Sequence, residues 1–138
     1  MVYVETPSKY KMIHYLVLLY AFFTNTFLFA QLAVVALINL FLKNVVSKNL
    51  YFKYPELKEM LLRPDSHEFG MPSGHMQVYW AYIVSLACNN KINNYRIAAA
   101  CLYGYLVGKA RVEKNKHNEI QIIMGTLIGS FLGLFITH

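Results

Sequence analysis

Two arginines and a Ser-Gly pair provide the types of group that bind phosphate. Arg63 stands before a proline, and Arg111 stands between two apolar runs. The guanidinium group presents a planar fork of donors that matches phosphate oxygens. Ser73 and Gly74 stand at the predicted start of a helix, where free backbone N–H groups favour an anion and a glycine lets the backbone approach it. We expect these four residues to hold a phosphate group.

Two histidines complete a set of residues suited to displacement at phosphorus. His75 follows Gly74 directly, and His117 follows Arg111 by six positions. The reaction needs a nucleophile and a proton donor, and imidazole can act as either because its unperturbed pKa is about 6.5. One histidine would form a phosphohistidine, while the other protonates the leaving oxygen and then activates water. Gln121 lies one helical turn after His117, so its amide oxygen can accept the ring N–H and orient the nucleophile.

Helices are the elements expected to position these residues. The longest apolar run, residues 12–42, exceeds the roughly 20 residues of one membrane crossing and is interrupted at residues 24–26. This pattern favours a hairpin of two helices, with a single long tilted helix as the alternative. A polar segment over residues 43–70 follows, in which Pro55 can begin a short helix and Pro64 ends it.

The rest of the chain predicts three further helices. They span residues 74–89, 94–110 and 118–137. The polar connection between the first two cannot stay in hydrocarbon, because its backbone groups would lack partners. Two crossings therefore separate His75 from Arg111 and return the chain to the same membrane face. The predicted fold is all-α, an integral membrane bundle of about five transmembrane helices, or alternatively of four.

The composition supports a membrane protein. The 138 residues are 57% hydrophobic and 14% charged, whereas about one quarter of residues in soluble domains are charged. We expect one membrane-embedded domain over residues 1–138, with an amino-terminal tail over residues 1–11 and a polar active-site segment over residues 43–72. The net charge of +6 lies in short loops rather than along one solvated face, which argues against a nucleic-acid partner and favours membrane lipids and a phosphorylated substrate.

The motifs resemble those of the type 2 phosphatidic acid phosphatase superfamily. That family has a lysine, six residues and Arg-Pro; then Pro-Ser-Gly-His or Pro-Ser-Ser-His; then Ser-Arg, five residues, His, three residues and Asp. Arg63 with its proline, residues 72–75, and Arg111 with His117 fit in this order. The resemblance implies that His117 is the nucleophile and His75 the general acid. It also implies phosphate binding, without a metal ion or other cofactor, by Arg63, Arg111, Ser73 and Gly74.

The first motif departs from the family pattern at its lysine. Glu56 occupies the position where the spacing requires lysine. Lys58, Lys53 and Lys43 are the candidates to replace it, and Lys43 has the sequence context found in one branch of the family. Lys58 is favoured because it shares the predicted short helix with Arg63.

The neighbours of the motifs resemble the dolichyl-diphosphatase branch. Met71 precedes the second motif, Gln77 follows it, and Gln121 replaces the aspartate of the third. Ala110 replaces the serine of the third motif. The resemblance to this branch implies a polyprenyl diphosphate as substrate.

The predicted function is metal-independent hydrolysis of a lipid phosphate, most favourably a polyprenyl or dolichyl diphosphate, through a phosphohistidine. The alternatives are a broad phosphatidate-type phosphatase, a lipid phosphotransferase, and a catalytically weakened structural membrane protein. Richness in Asn, Lys, Ile and Tyr is typical of an AT-rich genome such as that of a large DNA virus. The expected location is a membrane of endoplasmic-reticulum type or, for a viral protein, a virion inner membrane. The expected partners are the lipid substrate, membrane lipids, and further copies of the chain or a capsid–membrane assembly.

Overall fold

A computed structural model describes residues 25–64 and 68–137, together with Tyr15, Leu16, Leu19, Tyr20 and Phe23. The predicted tail over residues 1–11 and most of the first arm of the predicted hairpin lie outside the described residues. Within the described ranges the chain is helical, apart from loops and one isolated antiparallel bridge between Leu62 and Phe69. The prediction of an all-α fold is thus confirmed for these residues.

The first described helix, α1, spans Thr26–Lys53. Asn25 caps its start, since the backbone there is extended and the side chain accepts a hydrogen bond from the Leu28 amide at 3.0 Å. The predicted interruption at residues 24–26 is therefore a helix start. The helix ends at Tyr54, because the proline that follows disfavours a helical conformation there.

The continuation of α1 to Lys53 differs from the predicted polar segment beginning at residue 43. The α-helical part Thr26–Phe41 passes into a π-helical turn, Leu42–Ser47, and then into a second α-helical part, Lys48–Lys53. Residues 42–54 contain neither glycine nor proline, so nothing in the backbone interrupts the helix. The polar side chains here therefore belong to a helix rather than to a loop.

The predicted short helix between the prolines is confirmed. A 3₁₀ turn, Pro55–Leu57, leads into α2, Lys58–Leu61. The chain then doubles back, with the Arg63 amide donating to the Glu68 carbonyl at 2.8 Å and the Gly70 amide donating to the Leu61 carbonyl at 2.9 Å. This return holds Arg63 beside the start of the next helix.

Three longer helices follow close to their predicted positions. They are α3, Gly74–Cys88; α4, Asn94–Glu113; and α5, Glu119–Gly133. Asn93 and Asn118 cap the starts of α4 and α5 with their side-chain oxygens. Asn115, in the turn between these helices, has a φ of 56°, a left-handed conformation that asparagine tolerates better than most residues.

Glycines allow α5 to lie directly on the backbone of α3. A Cβ atom at Gly125 would lie 2.5 Å from the Ser73 carbonyl oxygen, and one at Gly133 would lie 2.6 Å from the Ala81 carbonyl oxygen. Helix packing through small residues at every fourth position is thus confirmed here. The other face of α3 packs on α1 through an apolar core of Leu28, Leu32, Val35, Val78, Ala81 and Ile136.

One described helix, α1, is long and apolar enough to cross a membrane, with a mean hydropathy of 1.9 in its most apolar window. Helices α3 and α5 have 15 residues each, and a crossing takes about 20. The bundle of five transmembrane helices stays a prediction.

Candidate active site

The orientation of His117 follows from the hydrogen bonds of Gln121. The Gln121 Nε2 donates to the carbonyl oxygens of Met60 and Leu62, each at 2.9 Å. Because the amide nitrogen must face these two acceptors, the Gln121 Oε1 faces the His117 Nδ1 at 3.0 Å. An amide oxygen only accepts, so Nδ1 carries the proton. In the neutral ring the lone pair is consequently on Nε2.

His117 is nearly inaccessible to solvent, at 1% relative exposure. Burial is the main cause that lowers the pKa of its imidazole to about 3, while the hydrogen bond to Gln121 acts in the opposite direction. Nearby cations lower this pKa further: Arg111, Arg63 and Lys43. The ring is therefore neutral near pH 7. Its Nε2 is buried and has no hydrogen-bond partner among the described residues.

The residue that holds His117 in place, Gln121, also caps the start of α5. Asn118 and Gln121 form a capping box, with the Asn118 side chain accepting from the Gln121 amide at 2.9 Å. The Asn118 Nδ2 also donates to the Glu59 carbonyl at 2.6 Å, which ties α5 to α2. The spacing of four residues from His117 predicted the contact with Gln121; the contacts with α2 had no signal in the sequence.

The predicted phosphate-binding turn, residues 72–75, lies against the start of α5. The Ser73 amide donates to the Gln121 carbonyl at 3.1 Å. Ser73 is fully buried, and its Oγ has no hydrogen-bond partner among the described residues. Helix α3 begins at Gly74, so His75 lies in its first turn with a buried Nε2. The turn thus brings the Ser73 hydroxyl and the start of α3 close to the start of α5, which follows His117.

The two predicted arginines approach the same site from different helices. Arg111 lies in the last turn of α4, is 5% exposed, and interacts electrostatically with His117. Arg63 follows α2, and its Nη1 lies 3.5 Å from the Glu68 Oε2 in a partly exposed ion pair. The Arg63 Nε is buried without a hydrogen-bond partner among the described residues. Arg63 and Arg111 therefore place positive charge near the His117 ring.

Lys43, and not Lys58, lies beside the other predicted site residues. A Cβ atom at Gly74 would lie 3.6 Å from the Lys43 Nζ, and Lys43 interacts electrostatically with Arg63 and Arg111. Lys58 is exposed and lines a different cavity of about 450 Å³, together with Lys48, Tyr51, Phe52, Leu62 and Phe69. The preference for Lys58 rested on the short helix that it was predicted to share with Arg63, whereas α1 brings Lys43 to the start of α3.

Two further residues of α1 contact the predicted phosphate-binding turn or the residue before it, and neither was predicted from the sequence. The Asn39 Nδ2 donates to the Pro72 carbonyl at 3.1 Å, and the Ser47 Oγ donates to the Met71 carbonyl at 2.8 Å. With Lys43 they form a stripe of polar residues spaced by four. Four residues of an α-helix rotate about 40° beyond a full turn, so side chains spaced by four move gradually around the helix. The π-helical turn has more residues per turn and reduces this rotation. The spacing by four was the signal available in the sequence.

The described residues contain no group of three or more His, Cys, Asp and Glu side chains placed to hold a metal ion. Three cationic side chains interact electrostatically in this region: Lys43, Arg63 and Arg111. Together with the Ser73 hydroxyl and the start of α3, these groups suit an anionic ligand with several oxygens.

A comparison with protein families identifies the chain. The family model of the PAP2 superfamily matches residues 24–138. The chain therefore belongs to the PAP2 superfamily, whose members are generally phosphatases of phosphorylated, lipid-like substrates and are typically membrane proteins. This confirms the resemblance at the level of the superfamily, while the dolichyl-diphosphatase branch and a viral source stay predictions. No curated protein and no solved structure gave a significant match.

Proposed function

We propose that the protein is an integral membrane phosphatase that hydrolyses polyprenyl diphosphate through a phosphohistidine on His117. The observation that carries this proposal is the state of His117. Its Nδ1 proton is held by Gln121, and its Nε2 carries a lone pair, is buried, and has no hydrogen-bond partner among the described residues. A neutral imidazole held in one tautomer beside three cations is suited to attack phosphorus.

The cations and the helix start hold the terminal phosphate. Arg63 and Arg111 donate from their guanidinium groups, and Lys43 contributes its charge beside the start of α3. Ser73 donates from its hydroxyl, for which the described residues provide no other partner. A diphosphate carries more negative charge than a monoester, and three cations are available to balance it.

The first chemical step forms a phosphohistidine. The His117 Nε2 lone pair attacks the terminal phosphorus as the bond from phosphorus to the leaving oxygen breaks. The electron pair of that bond goes to the leaving lipid monophosphate, and His75 donates the proton that this oxygen takes up. The positive charge that develops on the His117 ring is stabilised by the hydrogen bond from Nδ1 to Gln121.

The second step returns the enzyme to its starting state. His75, now neutral, removes a proton from a water molecule as its oxygen attacks the phosphohistidine. The bond between phosphorus and Nε2 breaks, and its electron pair returns to His117. Inorganic phosphate leaves, and His75 again carries the proton used in the first step.

The distribution of polar and apolar side chains supports a membrane location. Large apolar side chains of α1, α4 and α5 are exposed: Phe27, Leu37, Phe41, Leu102, Leu106, Ile123, Leu127 and Phe131. Polar side chains are instead among the most buried: Asn39, Ser73, Gln77, Arg111, His117 and Gln121. Exposed apolar surface of this extent is typical of a lipid or protein contact, and the hydropathy of α1 favours lipid.

The test is phosphate release by the protein purified in detergent micelles. We expect release from polyprenyl diphosphate to be faster than from phosphatidate and to be unaffected by a chelator. His117→Asn removes the nucleophile and should abolish release. With ³²P in the terminal phosphate, the rapidly quenched wild type should carry acid-labile label that His117→Asn lacks, and His75→Asn should release phosphate more slowly because both steps lose their proton-transfer group.

Four results would contradict the proposal. Activity that survives His117→Asn would exclude this nucleophile, and activity that requires an added metal ion would exclude the metal-independent mechanism. Faster release from phosphatidate would change the substrate class. An intact protein that releases no phosphate from any lipid would instead favour a structural role in the membrane.

A further inference from the structure

A pair of buried amide side chains joins α1 to α3 one turn away from the phosphate-binding turn. Asn39 of α1 is 4% exposed, and Gln77 of α3 is fully buried. The Asn39 Nδ2 donates to the Gln77 Oε1 at 2.9 Å. The surrounding interface between these helices is apolar. Burying two amide groups there removes them from water, which costs free energy.

The hydrogen bonds fix the orientation of both amides. The Gln77 Nε2 donates to the Val35 carbonyl at 3.1 Å, so the Gln77 Oε1 must be the atom that faces Asn39. The Asn39 Nδ2 has two hydrogens and uses one for Gln77 and one for the Pro72 carbonyl at 3.1 Å. The chain of bonds therefore runs from α1 through α3 to the residue before Ser73.

The Asn39 Oδ1 faces the start of α3. Because the Asn39 nitrogen faces Gln77 and Pro72, its Oδ1 faces Gly74, where a Cβ atom would approach it to 2.9 Å. The Lys43 Nζ lies 3.6 Å from the same point. Asn39 thus contacts the phosphate-binding turn, and its Oδ1 and the Lys43 Nζ both lie close to Gly74 in that turn.

We infer that Asn39 and Gln77 are positioning residues that hold the phosphate-binding turn, residues 72–75, in register with Lys43. This inference rests on the proposed function. Apolar side chains across the same interface would pack without a desolvation cost, but they would not fix the position of α3 along α1. Directional hydrogen bonds fix that position, and a displacement of about 1 Å at a phosphate site can lower a rate by as much as 100-fold.

Leucine variants separate positioning from stability. Asn39→Leu or Gln77→Leu alone leaves a buried amide without its partner, so both the melting temperature and the rate should fall. The double variant Asn39→Leu/Gln77→Leu removes both amides and should recover most of the melting temperature, although the Pro72 carbonyl still lacks its donor. Its kcat/KM for phosphate release should remain below the wild-type value by on the order of 10- to 100-fold. Inorganic phosphate should also inhibit it more weakly than it inhibits the wild type.

A swapped pair provides the conservative variant. Asn39→Gln/Gln77→Asn keeps two amides of the same combined length across the interface. It should recover at least part of the activity that the double leucine variant loses, because the connection from α1 to Pro72 can form again. Recovery by the swapped pair and not by leucine would assign the effect to the hydrogen bonds.

The matched control is an amide at the opposite end of α3. The Asn89 Nδ2 donates to the Ser85 carbonyl at 2.7 Å and to the Ile136 carbonyl at 3.1 Å. Asn89→Leu should lower the melting temperature while kcat/KM and inhibition by phosphate stay at wild-type values. A fall in kcat/KM equal to that of Asn39→Leu would show a general effect of lost stability.

The outcomes separate this inference from the proposed function. If the wild type releases phosphate and the double leucine variant does so at the same rate, Asn39 and Gln77 are structural only and the inference is wrong. If the wild type neither releases nor binds phosphate, the proposed function fails and the inference fails with it. A stable double variant with a low rate and weak phosphate inhibition supports both.

Discussion

The two ends of the α3–α5 pair are packed alike and differ in how their polar groups are satisfied. At the end far from the site, Asn89 donates to two backbone carbonyls. There Gln31 also exchanges hydrogen bonds with the Thr137 backbone, at 2.7 and 2.9 Å. At the other end, Ser73 Oγ and His117 Nε2 are buried without a hydrogen-bond partner among the described residues.

This difference indicates what each end of the pair does. A buried polar atom without a partner costs about 1–3 kcal/mol, so such atoms are rare unless a ligand or water completes them. At the far end, the buried polar side chains among the described residues have hydrogen-bond partners, which stabilises the bundle. At the site end, His117 interacts electrostatically with three cations, and in the proposed function the incomplete groups bind an anionic substrate.

The largest expected effect comes from removing the amide of Gln121. Gln121→Leu leaves the His117 Nδ1 without its acceptor and the Met60 and Leu62 carbonyls without their donor. We expect kcat for phosphate release to fall on the order of 10²- to 10⁴-fold, because the proposed nucleophile, His117, loses its fixed tautomer. The same substitution at the far end, Gln31→Leu, should lower the melting temperature and leave kcat unchanged. Equal losses of kcat would remove the distinction between the ends.

Acid should destabilise the site end through His117. Its pKa is about 3 in the folded protein, against about 6.5 unfolded. Between these values the unfolded chain binds a proton that the folded protein does not. The stability due to the neutral ring is fully present above pH 6.5 and is lost as the pH falls toward 3, by about 1.4 kcal/mol per pH unit.

This pH effect can be measured by titration with SDS in micelles between pH 7 and 5. The free energy of unfolding of His117→Gln should change less with pH than that of the wild type. Parallel curves for the two proteins would contradict the neutral state of His117. A ¹⁵N NMR titration in which the His117 ring stays neutral at pH 5, with the proton on Nδ1, would confirm it.

A pair of glycine substitutions compares the two ends under nearly the same steric load. The added Cβ atom would lie 2.5 Å from the Ser73 carbonyl oxygen in Gly125→Ala and 2.6 Å from the Ala81 carbonyl oxygen in Gly133→Ala. Both should destabilise the protein by about 1–3 kcal/mol through overpacking. Only Gly125→Ala displaces Ser73, so it alone should lower kcat/KM, by about tenfold or more. Similar kcat/KM values for the two variants would contradict a site confined to one end.

Some of these features could be predicted because they depend on local spacing. The contact between His117 and Gln121 follows from four residues in one helical turn. The starts of α4 and α5 follow from asparagines that cap them. Such features need no knowledge of how distant parts of the chain pack.

The features that depend on packing between helices could not be decided from local spacing alone. The lysine beside Gly74 is Lys43, twenty residues before Arg63, and distance along the chain does not determine distance between α1 and α3. The role of Asn39 needs Gln77, on another helix, to complete its hydrogen bonds. The sequence did contain a signal for the extension of α1 through Lys53, because residues 42–54 include neither glycine nor proline. The polar composition of this stretch nevertheless favoured the prediction of a separate polar segment.

The smallest expected effect concerns the ion pair between Arg63 and Glu68. The Arg63 Nη1 and the Glu68 Oε2 are 3.5 Å apart, and the Glu68 side chain is 75% exposed. Such a pair contributes about 0–1 kcal/mol, so Glu68→Gln should hardly change the melting temperature. Because a carboxylate beside Arg63 repels a phosphate, its removal should lower KM, by about two- to threefold at low salt.

The control for this variant is an ion pair outside the site. The Lys109 Nζ lies 3.9 Å from the Glu113 Oε1 on the exposed face of α4. Glu113→Gln removes the same charge without changing the neighbourhood of Arg63, and its KM should equal that of the wild type. A KM that rises in Glu68→Gln would mean that Glu68 orients Arg63 toward the substrate. The carboxylate would then belong to the phosphate site rather than compete with its ligand.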